Sequence, residues 1–375
     1  MSLRMSALAV VVVLGVGCVN SDVDPPQVGG VQQDVLTCDE FMCGTNSPEI
    51  AEFGFWELNL PTPRTLSLPN NVGLRVIAFF QGGVRYLPQV SGGKLTASRT
   101  SSSGATVTLS GSALVGGYFG LANGSRTFEM MVTEVSTVAS WAQRVGAPQV
   151  MLETYRLDWT ELVNNQPGRF QNVCKNAPIR EPSDLLGMAG QDIYHALLFE
   201  GDRIDAAKKL DTSVDSSWMN LGCAGSALAK MALTGHTQAA ANAKTFDTTL
   251  AERQTMLKML TADYCNDGTP FTVAGQPLNW ADDGRTMKMM ALTASPPRPV
   301  VREGRWGPEG PLCLDHARVD LAWTPLGEAT FGLTPSVWSQ MHTHCPAKVI
   351  PQCAGTALGT DGAHLISAVE PNPHP

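Results

Sequence analysis

The chain has 375 residues, a formal net charge of −8 and only 16% charged residues. This mildly acidic balance, without a basic run, excludes the electrostatic footprint of a nucleic-acid-binding protein. The 36 glycines and 25 prolines favour a loop-rich globular protein over a long helical bundle.

The N-terminus has the features of an export signal. Arg4 precedes an apolar stretch over residues 7–17, and a basic head before a short apolar region is typical of a signal peptide. A membrane-spanning helix needs about 20 apolar residues, which disfavours a permanent span. Cys18 directly follows Gly17, as in the lipobox of lipoproteins, although Leu14 stands four rather than three residues before the cysteine. The alternative is an ordinary secretory signal with a stray cysteine.

The cysteine count supports a lipid on Cys18. The chain contains nine cysteines, and an odd number in an exported protein leaves one thiol to explain. Lipidation of Cys18 leaves an even set, suited to disulfides in an oxidising compartment. The cysteines predicted to form disulfides are Cys38, Cys43, Cys174, Cys223, Cys265, Cys313, Cys345 and Cys353.

Acyl chains on Cys18 predict attachment to a membrane. The next residue is Val19 rather than the aspartate that commonly retains lipoproteins at the inner membrane, so we expect the outer membrane. Residues 1–17 are then the signal peptide and residues 18–37 a lipid-anchored tether.

Local spacing favours two disulfides among the predicted set, Cys38 with Cys43 and Cys345 with Cys353. The remaining four cysteines are expected to brace a pair of helices against strands, and the sequence leaves their pairing open.

Residues 38–150 are predicted to be rich in β-strands. Short apolar segments with a period near two are separated by Gly, Pro, Asn and Ser, which indicates an antiparallel, sandwich-like sheet. The clearest segments are residues 53–58, 74–79, 106–109, 128–132 and 150–159. The Ser/Gly/Thr-rich span 91–112 is either a disordered linker or a set of hairpin tips, and the alternation of Val107 and Leu109 with threonines favours hairpins.

The period changes to that of helices in the middle of the chain. Residues 223–235 and 250–262 each have small or apolar residues on one helical face. Short strands and turns follow. The predicted fold class is therefore α+β, with the β-rich half followed by a disulfide-braced domain over residues 151–355 and a flexible C-terminal tail over residues 356–375.

One tetrapeptide supports a family resemblance. Ala262, Asp263, Tyr264 and Cys265, followed by Asn-Asp-Gly, resemble the motif that names the ADYC-domain family of exported bacterial proteins. Further matches are the Cys-Ala-Gly-Ser run at 223–226, the Arg-Trp-Gly-Pro-Glu-Gly run at 305–310 and the terminal cysteines, so the resemblance spans roughly residues 152–353. Family members often have a further cysteine where this chain has Met231. The resemblance implies export and disulfides, and it leaves the activity open.

Two nucleophiles are candidates near residue 223. Cys223 precedes a predicted helix, whose dipole lowers a thiol pKa, and His195, His236 or His316 are candidate bases. A structural disulfide is the more economical interpretation. Ser226 lacks the flanking glycines of a nucleophile elbow, so a packed or surface serine is favoured.

Two groups of residues are candidate metal sites. Asp263, Asp267 and Gly268 match positions one, five and six of a calcium loop, but Cys265 and Ala274 stand at positions three and twelve. A capped helix end with an Asn-Asp-Gly turn explains the same residues.

His342 and His344 share one side of a strand and suit zinc, with Asp315 and His316 upstream. No third ligand has a recognisable spacing, so the sequence predicts neither a metal site nor a cofactor.

The sequence leaves three functions open. The favoured one is an envelope or surface module that binds an unknown envelope or extracellular ligand, because the sequence offers a tether and disulfides but no compelling catalytic set. The second is a hydrolase of envelope or extracellular polymers, with acids among Asp263, Asp267, Asp282 and Asp283. The third is a structural surface protein.

Overall fold

The computed structural model describes residues 28–29, 47–140, 150–174, 194–211, 217–238, 248–273, 278–282, 287–288, 301–315, 317, 350–353 and 365–369. The strands of its first half are β1 (Val28–Gly29), β2 (Glu49–Ile50), β3 (Phe53–Gly54), β4 (Glu57–Asn59), β5 (Arg75–Gln81), β6 (Val84–Ser91), β7 (Lys94–Thr100), β8 (Thr106–Ser110), β9 (Tyr118–Asn123), β10 (Arg126–Ala139) and β11 (Met151–Val163). A 3-10 turn, Gly111–Leu114, follows β8.

The second half contains both described helices and shorter strands. In chain order these are β12 (Gln166–Pro167), β13 (Gln171–Asn172), β14 (His195–Glu200), β15 (Arg203–Ile204), β16 (Leu210–Asp211), β17 (Trp218–Cys223), α1 (Ala227–Leu233), α2 (Leu250–Leu260), β18 (Thr272–Val273), β19 (Leu278–Asp282), β20 (Met287–Lys288), β21 (Val301–Gly307), β22 (Gly310–Leu314) and β23 (Leu365–Val369). The predicted α+β class is confirmed.

The largest described sheet is antiparallel. Its strand order is β4-β17-β14-β11-β10-β9-β5-β6-β7-β8, and β12 and β13 also pair with β11. Two-residue turns at Gly82-Gly83 and Gly92-Gly93 join β5 to β6 and β6 to β7, and all four glycines have positive φ. Such turns match the twist of the flanking strands. The span 91–112 therefore forms hairpins, as predicted, rather than a linker.

The sheet curls so that β7 and the β6–β7 turn reach β11 and β14, which lie several strands away in the sheet order. The Leu95 amide of β7 donates to the Tyr155 hydroxyl of β11 at 2.8 Å, and the Gly92 amide donates to Glu200 at the end of β14 at 3.2 Å. The side chains on the inner face form one continuous apolar core that includes Phe79 and Phe119. This confirms the sandwich-like arrangement.

The sheet also crosses residue 150, where the sequence analysis places a boundary between two regions. Strands β10 and β11, which flank that position, pair from Phe128 opposite Glu161 to Ala139 opposite Met151. Residues on both sides of the predicted boundary therefore contribute to one sheet.

The two helices are short, and each begins at a capping residue that is present in the sequence. The Ser226 hydroxyl accepts the Ala229 amide at the start of α1, and Thr249 and Glu252 form a reciprocal capping box at the start of α2. Helix α1 packs on β14 and β17, and α2 packs on α1 and on β21, β22 and β23. A second apolar core lies between these elements, so the predicted helical pair is present.

A five-stranded sheet, β20-β19-β23-β21-β22, completes the second core. Its central strand β23 lies within residues 356–375, and the prediction of a flexible tail is wrong for these five residues. The physical reason is that every second side chain of the segment faces the core: Leu365 and Ser367 are buried, and the backbone pairs with β19 and β21 on its two sides. Strand β1, within the predicted tether, pairs with β18.

Candidate functional site

The tetrapeptide at 262–265 forms a tight turn directly after α2. Ala262 has a φ of +50°, which ends the helix, and places Asp263 back against its last turn. The Asp263 carboxylate accepts from the Lys258 ammonium at 2.6 Å, the Gly268 amide at 2.9 Å and the Asp267 amide at 3.2 Å. Both carboxylate oxygens therefore hold the turn closed.

Two lysines meet at this turn. Lys258 and Asp263 are both 0% exposed, and the Lys258 ammonium also donates to the Ala207 carbonyl at 2.6 Å. Lys208 donates to the Gly268 carbonyl and lies 5.5 Å from the Trp56 ring centroid. Burial lowers the pKa of Lys208 to about 8, opposed by the attraction of Asp263. The cations thereby tie the β15–β16 hairpin to the turn.

Tyr264 connects the turn to the five-stranded sheet. Its hydroxyl donates to Glu303 at 2.5 Å, and its ring stacks on Trp306 with 5.6 Å between centroids. Ser367 donates to the other Glu303 oxygen at 2.7 Å, and the Trp306 indole donates to Ser367 at 2.7 Å. This chain of buried bonds joins the turn, β21 and β23.

A second buried ion pair supports the same hairpin. Arg253 of α2 donates to both oxygens of Asp202, at 2.7 and 2.9 Å. Gln254 accepts the Leu210 amide at 2.7 Å and donates to the Lys208 carbonyl at 2.9 Å. The polar side of α2 is thus used for internal contacts, which explains why its charged residues are buried.

The acid candidates share this turn but differ in environment. Asp263 is fully buried and ion-paired, whereas Asp267 is exposed and its carboxylate accepts the Thr269 amide at 2.8 Å. Asp282 belongs to β19, and Asp283 lies outside the described residues. Because amide and ammonium groups occupy the Asp263 oxygens, this residue serves the turn as an anionic cap rather than as a calcium ligand.

The nucleophile candidates have structural roles. Cys223 is bonded to Cys174, so it has no thiol with which to react, and Ser226 caps α1. His195 is buried, with Nδ1 3.0 Å from the Thr154 hydroxyl and Nε2 3.5 Å from Glu134.

His236 and Asp315 are the remaining histidine and zinc candidates within the described ranges, and both have structural contacts. His236 packs edge-on against Trp280 and contacts Thr234 at 3.1 Å. His316, His342 and His344 lie outside the described residues. Asp315 pairs with Arg302 and accepts the Cys353 amide. Within the described ranges, no three His, Cys, Asp or Glu residues are grouped for a metal ion.

The disulfides differ from the predicted local pairing. Cys313 is bonded to Cys353, so the prediction that Cys353 pairs with Cys345 is wrong. The reason lies in the fold, since the Leu314 amide donates to the Pro351 carbonyl and brings that segment beside β22. Cys265 is also disulfide-bonded, while Cys18, Cys38, Cys43 and Cys345 lie outside the described residues.

A surface feature was missed by the sequence analysis. Five directly opposed residues cross the outer face of neighbouring strands: Arg85 on β6, Phe80 on β5, Tyr118 on β9, Met131 on β10 and Asp158 on β11. We call this set the aromatic row. The Phe80 and Tyr118 rings stack with centroids 5.3 Å apart and planes inclined by 24°. Both rings are half-buried.

Neighbouring residues extend the aromatic row. Ile77 is 41% exposed, and Gly120 leaves room for the Phe80 ring, which lies 3.2 Å from where a Cβ would stand. Burial raises the pKa of Glu129 and, with a contribution from Glu129, that of Tyr118. The sequence shows two pairs of adjacent aromatic residues, Phe79-Phe80 and Tyr118-Phe119, in which one ring faces the core and the other faces outward. Only the pairing of β5 with β9 shows that the two outward rings lie side by side.

The described helices do not include one that is long and apolar enough to cross a membrane. The disulfides indicate an oxidising compartment outside the cytoplasm.

Comparison with known proteins identifies the family. The ADYC domain model matches residues 111–320, which is more than half of the chain. The match contains the turn at 262–265 and strand β21 with Trp306, the ring that stacks on Tyr264. Neither a curated protein nor a solved structure matches the chain significantly. The chain therefore belongs to the ADYC domain family.

Proposed function

We propose that this protein is a bacterial cell-envelope lipoprotein, anchored through Cys18 in the outer membrane, whose folded part binds an envelope polysaccharide. The address rests on the signal-like N-terminus, the cysteine that follows it and the disulfides of the folded part. The binding role rests on the aromatic row.

The aromatic row is the single observation that carries the binding role. The residues next to the row along each strand, among them Phe79, Phe119 and Met130, belong to the inner core. The side chains of the row point to the opposite face and do not pack in that core. Aromatic rings contribute a large contact area and tolerate a polar tip. Arg85 and Glu129 beside the rings supply hydrogen-bonding groups. Sugars have apolar ring faces and hydroxyl edges, which suit such a surface.

The alternatives have less support. For a hydrolase, a catalytic acid needs to exchange a proton with substrate, whereas Asp263 is fully buried and held by Lys258 and two amides. A purely structural surface protein leaves the alignment of half-buried aromatic rings on the outer face unexplained. Asp267 remains available for the hydrolase alternative because it is exposed.

The anchor makes a direct prediction. A Cys18→Ala variant is expected to move from the detergent phase to the aqueous phase in a detergent-partition experiment. The reason is that it lacks the acylated cysteine, whose several acyl chains give stable membrane attachment. Mass spectrometry of the mature N-terminus of the wild-type protein should show an acylated cysteine. A Cys38→Ala variant serves as the control and should stay with the detergent. Unchanged membrane association of Cys18→Ala would contradict the anchor.

The aromatic row makes the second prediction. Phe80→Ala and Tyr118→Ala are each expected to weaken co-sedimentation with isolated peptidoglycan or lipopolysaccharide by about tenfold, the effect of losing a well-packed aromatic contact. The control is Phe170→Ala, which removes another partly exposed aromatic ring, 40% exposed, from outside the row. Equal losses in all three variants, or no retention of the wild-type protein on either polymer, would overturn the proposed ligand.

A further inference from the structure

Strand β8 is one of the two end strands of the large sheet in the described part of the chain. It pairs with β7 on one side, from Thr96 opposite Ser110 to Thr100 opposite Thr106. On its other side, the part of the chain that the structure describes places no strand. The edge carries neither a charged residue nor a proline, the two features with which proteins commonly protect an exposed edge.

The hydrogen-bond phase of the β7–β8 hairpin identifies the outward backbone groups. The Ser101 amide donates to the Ala105 carbonyl, so that pair is a hydrogen-bonded one. Hydrogen-bonded and non-hydrogen-bonded pairs alternate in an antiparallel ladder. The amides and carbonyls of Thr106, Thr108 and Ser110 therefore point away from β7.

The side chains of β8 alternate in the same register. Val107 and Leu109 are half-buried and pack on the inner core, whereas the three hydroxyl residues Thr106, Thr108 and Ser110 are exposed. The inner face is thus apolar and the outer face carries only hydroxyl groups.

The five residues of β8 are self-complementary about Thr108. In a two-fold antiparallel pairing, Thr108 lies opposite itself, Val107 opposite Leu109 and Thr106 opposite Ser110. The outward groups of Thr108, the Thr106 carbonyl and the Ser110 amide then find partners, which gives about four backbone hydrogen bonds between the strands. The Ser110 carbonyl is not counted because it begins the 3-10 turn Gly111–Leu114. The apolar pairs continue the inner core, and like pairs of hydroxyl residues meet on the outer face.

We propose that the protein forms a symmetric dimer in which β8 pairs with β8 of a second copy. The outward backbone groups of β8 and the alternation of its side chains are both symmetric about Thr108. A strand with this symmetry is complementary to itself, so the occupant of this edge is a second copy. The absence of charge on β8 allows two acidic chains to approach there. The two-fold axis stands perpendicular to the sheet, so both copies present their aromatic rows on the same outer side and can bind one polymer with increased avidity.

A cysteine placed on the axis tests the proposal. Residues in a hydrogen-bonded antiparallel pair have Cα atoms about 5.5 Å apart, within disulfide range. Thr108→Cys is therefore expected to form a covalent dimer on mild oxidation of the native protein, as seen on a non-reducing gel and confirmed by peptide mapping. Thr106→Cys is the matched control. Its two copies lie four residues out of register, about 14 Å apart, and should stay monomeric.

Sedimentation of the full chain gives a second readout that does not depend on oxidation. Thr108→Lys places two ammonium groups directly opposite each other and is expected to shift the protein to monomer, whereas Thr106→Lys, opposite Ser110 of the second copy, should remain largely dimeric. Both substitutions lie on an exposed face, so the melting temperature should stay within a few degrees. A wild-type monomer at all concentrations, or equal cross-linking at positions 106 and 108, overturns the dimer.

Discussion

Replacement of Lys258 by methionine is expected to lower the free energy of unfolding by about 3–5 kcal/mol, the usual effect of removing one partner of a buried ion pair. The Lys258 and Asp263 side chains are both fully buried, 2.6 Å apart. The variant leaves the Asp263 carboxylate without its closest cation and the Ala207 carbonyl without its ammonium donor. Lys208, the other lysine at the turn, donates to the Gly268 carbonyl.

The measurement is urea unfolding followed by tryptophan fluorescence, with the disulfides kept oxidised. The matched control is Lys209→Met, which removes the adjacent lysine from an exposed pair with Glu309 at 3.5 Å. Exposed pairs contribute only about 0–1 kcal/mol, so the control should unfold near the wild-type midpoint. A Lys258→Met variant as stable as the Lys209→Met variant would mean that the turn does not depend on this ion pair.

Gly268→Ala is the second large effect, with an expected destabilisation of about 3 kcal/mol or more from strain and overlap together. Gly268 has a φ of +92°, and a Cβ there would overlap the Ala206 carbonyl and lie 3.0 Å from the Ala207 Cα. Both neighbours are backbone atoms of the β15–β16 hairpin and cannot rotate away. The hairpin must therefore separate from the turn, which breaks the contacts of both lysines.

Gly104→Ala separates the two contributions. Gly104 has a similar φ of +80°, but no atom lies within 4 Å of its Cβ position. It should show the conformational strain without the overlap, about 1 kcal/mol. Thermal unfolding of both variants provides the comparison. Equal melting temperatures would show that the approach of the hairpin to Gly268 adds nothing to stability.

Much of the secondary structure could be predicted from local patterns. The strands around residues 74–79, 128–132 and 150–159 and both helices follow from periodicity and capping residues, and β5, β10, β11, α1 and α2 occupy those positions. The sheet order, in contrast, places β9 between β5 and β10 and adds β4 beside β17. Such non-local pairings depend on which apolar faces meet, and no single segment records that choice.

The turn at 262–265 likewise has a part that local sequence predicts and a part that depends on distant segments. Its residues are visible as a motif, and the end of a helix at an Asn-Asp-Gly turn is predictable from residues 262–268 alone. Its partners Lys208, Glu303 and Ser367 come from distant segments. The same holds for Cys353, which local spacing assigned to Cys345 and the fold assigns to Cys313. Contacts of this kind are set by topology, because loop length alone distinguishes poorly between them.

The position of β23 has a consequence for the order in which the molecule can assemble. Ser367 bridges Trp306 and Glu303 at the centre of the second core, although it follows them by 61 and 64 residues in the chain. A chain that emerges N-terminus first can form the hairpins of β5 to β10 early, since those contacts are local. The polar bonds around Tyr264 stay incomplete until β23 has been released, so a chain delivered only as far as β22 leaves Glu303 without its Ser367 donor and accessible to water and to other proteins.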